Sequence, residues 1–151
     1  DDVPGYGYQL KHGATALTES WQAYPSVSNN HFMLGHLMEW FYQGLAGIQQ
    51  TANSVGFKEI LIKPTPVGDI SHARATFRSP YGSIISDWEK SGTNFSLKLE
   101  IPVNSSAVIY LPASSSSVIK EGRRLMMNGK YENGKAIFRL GSGSYQFTVE
   151  E

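Results

Sequence analysis

The 151-residue chain contains no cysteine, has no net charge and holds no long hydrophobic run. Without cysteine there are no disulfides, no thiolate nucleophile and no thiolate metal ligands, although the compartment stays open. Thirteen bases balance thirteen acids, so no bulk field draws the chain to nucleic acid or to an anionic membrane surface. No apolar stretch nears the ~20 residues a spanning helix needs, and no basic-then-apolar leader opens the sequence. The first residue is Asp1 rather than Met, which points to processing or excision. The four histidines, His12, His31, His36 and His72, lack zinc-ligand spacing, and His31 and His36 fall on different faces of a helix. Gly5-Tyr6-Gly7 is too short for a phosphate loop and follows no strand. Gly141-Ser142-Gly143-Ser144 lacks the spacing and partners of a nucleophile elbow. No metal and no cofactor is expected.

What is present is an ordinary globular composition, 40% hydrophobic and 17% charged, with an uneven layout. Residues 1–55 hold four acids (Asp1, Asp2, Glu19, Glu39) against one base, Lys11, while residues 56–151 hold twelve bases against nine acids. The hydrophobic period changes at the same place. Two units are expected, 1–55 and 56–151.

Residues 1–29 are rich in Gly, Tyr, Ser and Pro, show no sustained period and read as a long irregular segment. Ser28-Asn29-Asn30 then offers helix-capping oxygens ahead of an apolar run from His31 to about Ile48. His36, Glu39 and Gln43 form one polar stripe, and ten large apolar side chains, from Phe32 to Ile48, cover the other faces. A helix apolar around most of its girth is buried on most sides. Each such side chain gains roughly 1.5–3 kcal/mol on burial, and a sandwich covers only one side of a helix. Other helices are required, and no other part of this chain supplies them. The segment is expected to be a piece of a helical domain.

From Gly56 the period becomes two. Phe95, Leu97, Leu99, Ile101 and Val103 alternate with Ser96, Lys98, Glu100 and Pro102, and Tyr145, Phe147 and Val149 alternate in the same way. Further strands are expected at 57–63, 71–78, 83–90, 107–111, 118–120, 124–127 and 136–140. Turn residues separate them, among them Ser91-Gly92 and Asn133-Gly134. Eight or nine short strands at this spacing predict an antiparallel β-sandwich, so the chain reads as mainly β.

One place can hold chemistry. Glu19 is the only carboxylate between Asp2 and Glu39, with Trp21, Tyr24 and several hydroxyls around it. A carboxylate among aromatic rings suits carbohydrate work, the ring faces packing on sugar C–H groups while the carboxylate handles water or a hydroxyl. By itself the pattern equally fits a solvated loop residue, and His31 equally fits a packing role.

Gly13-Ala14-Thr15-Ala16-Leu17-Thr18-Glu19-Ser20-Trp21 resembles the Gly-Ala-Thr-Thr-x-Trp-Glu-x-Trp motif of family 78 glycoside hydrolases, the inverting α-L-rhamnosidases. The run Asn30 to Ile48 resembles the helix that follows it there, from its Asn-His start through Glu39-Trp40 to its Leu-Ala-Gly-Ile end. The resemblance implies an (α/α)6 catalytic barrel, of which the helix is a remnant, followed by a C-terminal sandwich. It also implies Glu19 as the general base that activates water, with His31 and Trp21 contacting the sugar. The partners it implies are a rhamnose-containing glycoside or polysaccharide and the upstream part of the same catalytic domain, which holds the general acid. Glu39, in the polar stripe, and Asp1 and Asp2, at the chain end, are poor candidates for that acid, so the chain alone is expected to be inactive. In two respects the sequence departs from the family. Thr18 stands where the motif has Trp, and the stretch from Glu19 to His31 is shorter than in several relatives. The rival reading is a non-catalytic carbohydrate-binding or structural sandwich, with Tyr81, Trp88 and Tyr110 as an exposed platform.

Overall fold

The computed structural model describes residues 4–22 and 24–150. Asp1 and Asp2 lie outside the described residues. Two compact units divide the chain between Trp40 and Phe41.

The second unit is the sandwich. Its strands are β1 (Ile48–Gln50), β2 (Glu59–Ile62), β3 (His72–Ser79), β4 (Gly82–Ser91), β5 (Asn94–Ile101), β6 (Ser106–Pro112), β7 (Val118–Glu121), β8 (Arg124–Leu125), β9 (Lys130–Glu132), β10 (Lys135–Leu140) and β11 (Gly143–Glu150). One sheet runs β1-β2-β6-β10-β9 and the other β3-β4-β5-β11-β7-β8. Every pairing is antiparallel except β2 with β6, where Glu59 faces Ser106 and Ile62 faces Ile109. The three strands between them lie in the other sheet, so the chain returns to β6 running as β2 does. The alternation read from the sequence sets the faces: Phe95, Leu97, Leu99 and Ile101 of β5 and Phe147 and Val149 of β11 are all buried. They meet Ile60, Ile62, Ile109, Leu111 and Phe138 of the opposite sheet in one core. Asn133 (φ 49°) and Gly134 (φ 70°) turn β9 into β10, the left-handed pair that a two-residue hairpin needs.

Eleven strands stand among the described residues where eight or nine were expected. The additions are β1 and β9, three residues each, too short for a period to register. β1 matters more, because it begins at the last residue read as helix and lies inside the expected first unit, 1–55. Leu45, Ala46 and Ile48 are buried in the sandwich core. Ile48 and Gln50 pair with Ile62 and Ile60 of β2. Trp88 Nε1 donates to the Leu45 carbonyl at 2.8 Å, and the Ser86 hydroxyl donates to the Ala46 carbonyl at 2.7 Å, both buried. Gly47 has φ 77°, and a Cβ there would sit 2.2 Å from the Pro64 nitrogen. The chain thus enters sandwich contacts well before Gly56, where the change of period placed the division.

In the first unit, α1 (Tyr6–Lys11) forms within the stretch read as irregular. The expected helix is shorter and mixed: a 3-10 turn at Phe32–Gly35, then α2 (His36–Trp40). A π-helical turn, Phe41–Leu45, opens the second unit. The capping expectation is corrected. His31 is the N-cap residue and makes no side-chain cap bond, while the Ser28 hydroxyl accepts from the Asn30 N–H at 3.4 Å. Phe32 is 85% exposed, and Met33, Met38 and Leu10 are also exposed. Among the described residues no helix is long and apolar enough to cross a membrane.

Candidate functional site

The motif segment and the start of the helical run face each other through the backbone. Leu17 carbonyl accepts from the His31 N–H at 2.7 Å, and Ser28 carbonyl accepts from the Glu19 N–H at 2.8 Å. These two bonds pair 17–19 with 28–31. The Ser28 N–H also donates to Glu19 Oε2 at 3.3 Å. Glu19 is exposed, and His31 and Trp21 are half-buried.

Around the exposed carboxylate the backbone is held from below. Gln9, on α1, is 3% exposed. Its Nε2 donates to the carbonyls of Thr18 and Ser20, each at 3.2 Å. Thr18 is buried too and its hydroxyl donates to the Ser20 carbonyl. The Thr18 hydroxyl is thus spent on the backbone beside Glu19. Tyr6, one turn before Gln9, packs edge-on against Trp21 with ring centroids 5.3 Å apart and donates its hydroxyl to the Leu34 carbonyl.

The structure therefore brings the limbs bearing Glu19 and His31 together, and Trp21 sits against Tyr6. Among the described residues no hydrogen bond joins the side chains of Glu19, His31 and Trp21. A hollow of about 340 Å³ in this unit is lined by Tyr6, Leu10, Ala16 and Leu17, among others, and by none of those three. Glu39 is exposed on α2. Among the described residues no group of three His, Asp or Glu side chains is placed to hold a metal ion. Gln9 was missed by sequence reasoning, because a glutamine on a six-residue helix gives no periodic signal.

The aromatic platform does not form. Trp88 is fully buried, stacked at 5.9 Å on Phe95. Tyr81 lies in the turn between β3 and β4 beneath Lys58, with Nζ 5.1 Å from the ring centroid. Tyr110 lies on β6 of the other sheet beneath Lys63, at 5.3 Å. Strand alternation sends Trp88 inward, and the two tyrosines lie on different sheets, each beside a lysine.

Residues 47–126 match the profile of the bacterial alpha-L-rhamnosidase C-terminal domain, and residues 1–45 match that of the bacterial alpha-L-rhamnosidase 6 hairpin glycosidase domain. The chain belongs to the bacterial α-L-rhamnosidase family. Its curated relatives include an alpha-L-rhamnosidase of Streptomyces avermitilis, 31% identical over 97% of this chain, and one of Formosa agariphila, 30% identical over 99%. Among solved structures, the alpha-L-rhamnosidase from Dictyoglumus thermophilum superposes with a TM-score of 0.88 at 32% identity, over 99% of this chain. The Streptomyces avermitilis alpha-L-rhamnosidase complexed with L-rhamnose gives 0.82 at 31%, also over 99% of the chain. The chain spans 15% and 18% of the two curated relatives and 18% and 15% of the two solved chains. The two profiles meet at Leu45 and Gly47, the stretch whose carbonyls are bonded by Trp88 and Ser86.

Proposed function

We propose that this chain is the C-terminal part of an α-L-rhamnosidase that releases terminal α-L-rhamnose by an inverting mechanism. The first unit, up to Trp40, belongs to the end of its helical catalytic domain, and the second, which β1 joins, is the sandwich. Glu19 is the general base. It takes a proton from water as that water attacks the anomeric carbon, and the leaving oxygen takes its proton from a general acid upstream of this chain. In an inverting enzyme the two carboxyl groups stand roughly 6.5–9.5 Å apart, with room for the water between them. His31 and Trp21 contact the sugar. The observation that supports this best is the double backbone pairing of Leu17 with His31 and Glu19 with Ser28. It joins the two segments of the rhamnosidase motif at the only carboxylate of the first segment. The complex of the Streptomyces avermitilis relative with L-rhamnose supports the choice of sugar. The exposed Phe32, Met33 and Met38 support a helical neighbourhood supplied by the rest of the enzyme.

The test is Glu19→Gln in the intact enzyme, which keeps the shape and loses the basic oxygen. A fall in kcat of about 10²–10⁴ is expected, the range a general base contributes, with an unchanged melting temperature. A near-normal rate removes Glu19 from this role. His31→Ala is expected to raise KM; lost stability with unchanged KM returns His31 to a packing role. The 1–151 chain by itself is expected to leave aryl rhamnosides uncleaved.

A further inference from the structure

Catalytic groups need placement to within about 0.5 Å. Within this chain, what holds Glu19 is the backbone that bears it. The carbonyl before Glu19 and the carbonyl after it both accept from one buried amide, Gln9 Nε2. The Glu19 N–H is bonded to Ser28, and so is its Oε2. A primary amide has two N–H donors, and both are matched here, so burying it leaves no donor unsatisfied. An apolar residue at position 9 would fill the space and leave the Thr18 carbonyl without this partner. The Ser20 carbonyl would keep only the Thr18 hydroxyl.

We infer that Gln9 is a positioning residue for Glu19: it grips the two peptide carbonyls flanking the base and so sets where the carboxylate meets the attacking water. The inference rests on the reading of Glu19 as the base. Tyr6, one turn away on the same helix face, holds Trp21 and the Leu34 carbonyl, so α1 braces both segments of the motif.

The test uses the intact enzyme and Gln9→Met, which keeps length and bulk but has no donor. With 2,4-dinitrophenyl rhamnoside, kcat is expected to fall about tenfold to a hundredfold, as a misplacement near 1 Å does, with KM within about twofold. Azide separates positioning from general damage, because this anion attacks without a base. Its nitrogen bonds to the anomeric carbon, the glycosidic C–O bond breaks, and dinitrophenolate leaves with the electron pair and needs no proton. Azide is expected to restore turnover of Gln9→Met and to yield rhamnosyl azide of inverted configuration. Thr18→Val, which removes the hydroxyl donor to the same Ser20 carbonyl, is expected to show a smaller loss and the same rescue, and it decides the matter if Gln9→Met does not fold. Wild-type kcat in the folded variants, or a loss that azide does not restore, overturns the role of Gln9. Glu19→Ala run in parallel keeps the two ideas apart. If Glu19→Ala is inactive and rescued by azide while Gln9→Met is at full rate, only the inference fails. If Glu19→Ala keeps its rate, the base assignment fails first.

Discussion

At the scale of single residues, two buried polar contacts and one half-buried lysine set measurable quantities. Ser86 and Trp88 sit on a core-facing row of β4, yet each spends its polar atom on a carbonyl of the incoming chain. Ser86→Ala leaves the Ala46 carbonyl buried without this donor, a loss of roughly 1–3 kcal/mol. A urea denaturation midpoint unchanged from wild type would show that the carbonyl finds another partner. Lys135 behaves differently. Burial of its ammonium, and then the charge of Lys63 beside it, lower its pKa; Glu132, opposite it across the β9–β10 hairpin, is bonded to Lys130. The unfolded chain therefore holds the Lys135 proton to higher pH than the folded chain does. Stability rises as pH climbs from the lowered folded value into the ordinary lysine range, and below that window the penalty is constant. Lys135→Met is expected to be more stable than wild type near neutral pH. The gain, under about 1 kcal/mol for so hydrated a site, shrinks as pH enters the lysine range. Urea midpoints across that range check the sign.

At the scale of elements, the informative place is the passage from helical turn to β1. Every residue from Leu45 to Ile48 is buried, and Gly47 turns with a left-handed φ against the backbone of Lys63 and Pro64. Gly47→Ala combines backbone strain of about 1–3 kcal/mol with overpacking of similar size. A loss of roughly 2–6 kcal/mol is expected, read as a fall in melting temperature. A variant within about 1 kcal/mol of wild type would mean that the strand shifts to make room. The same element explains the misread boundary. Leu45, Ala46 and Ile48 continue the apolar pattern of the helical stretch, so periodicity extends the helix to Ile48, which in fact pairs with Ile62 of β2.

At the scale of the whole chain, Phe32 and Met38 are exposed, although a run this apolar calls for burial. If helices of the parent enzyme cover them, the same substitutions act differently in the two settings. Phe32→Ser with Met38→Ser is expected to change the stability of the 1–151 chain by less than about 0.5 kcal/mol, as at ordinary surface sites. In the intact enzyme it is expected to cost several kcal/mol, as loss of buried large side chains does. Equal, small effects in both would leave these side chains without a covering partner in the enzyme and would count against the helical-domain reading.

The sequence by itself determined the sandwich and its faces, because a period of two is written in each strand and a one-residue slip would turn Phe95, Leu97 and Leu99 out to water. It also determined the family, through the motif around Glu19 and the run that begins at Asn30. Only the tertiary structure decided where the units part, that β2 and β6 run parallel, that Trp88 is core rather than platform, and that Gln9 grips the peptide of Glu19. Each of these depends on contacts between residues far apart in the chain, nine positions for Gln9 and Thr18, forty-three for Trp88 and Leu45. Local pattern records which face of a segment seeks burial. It does not record which distant carbonyl a buried donor will find.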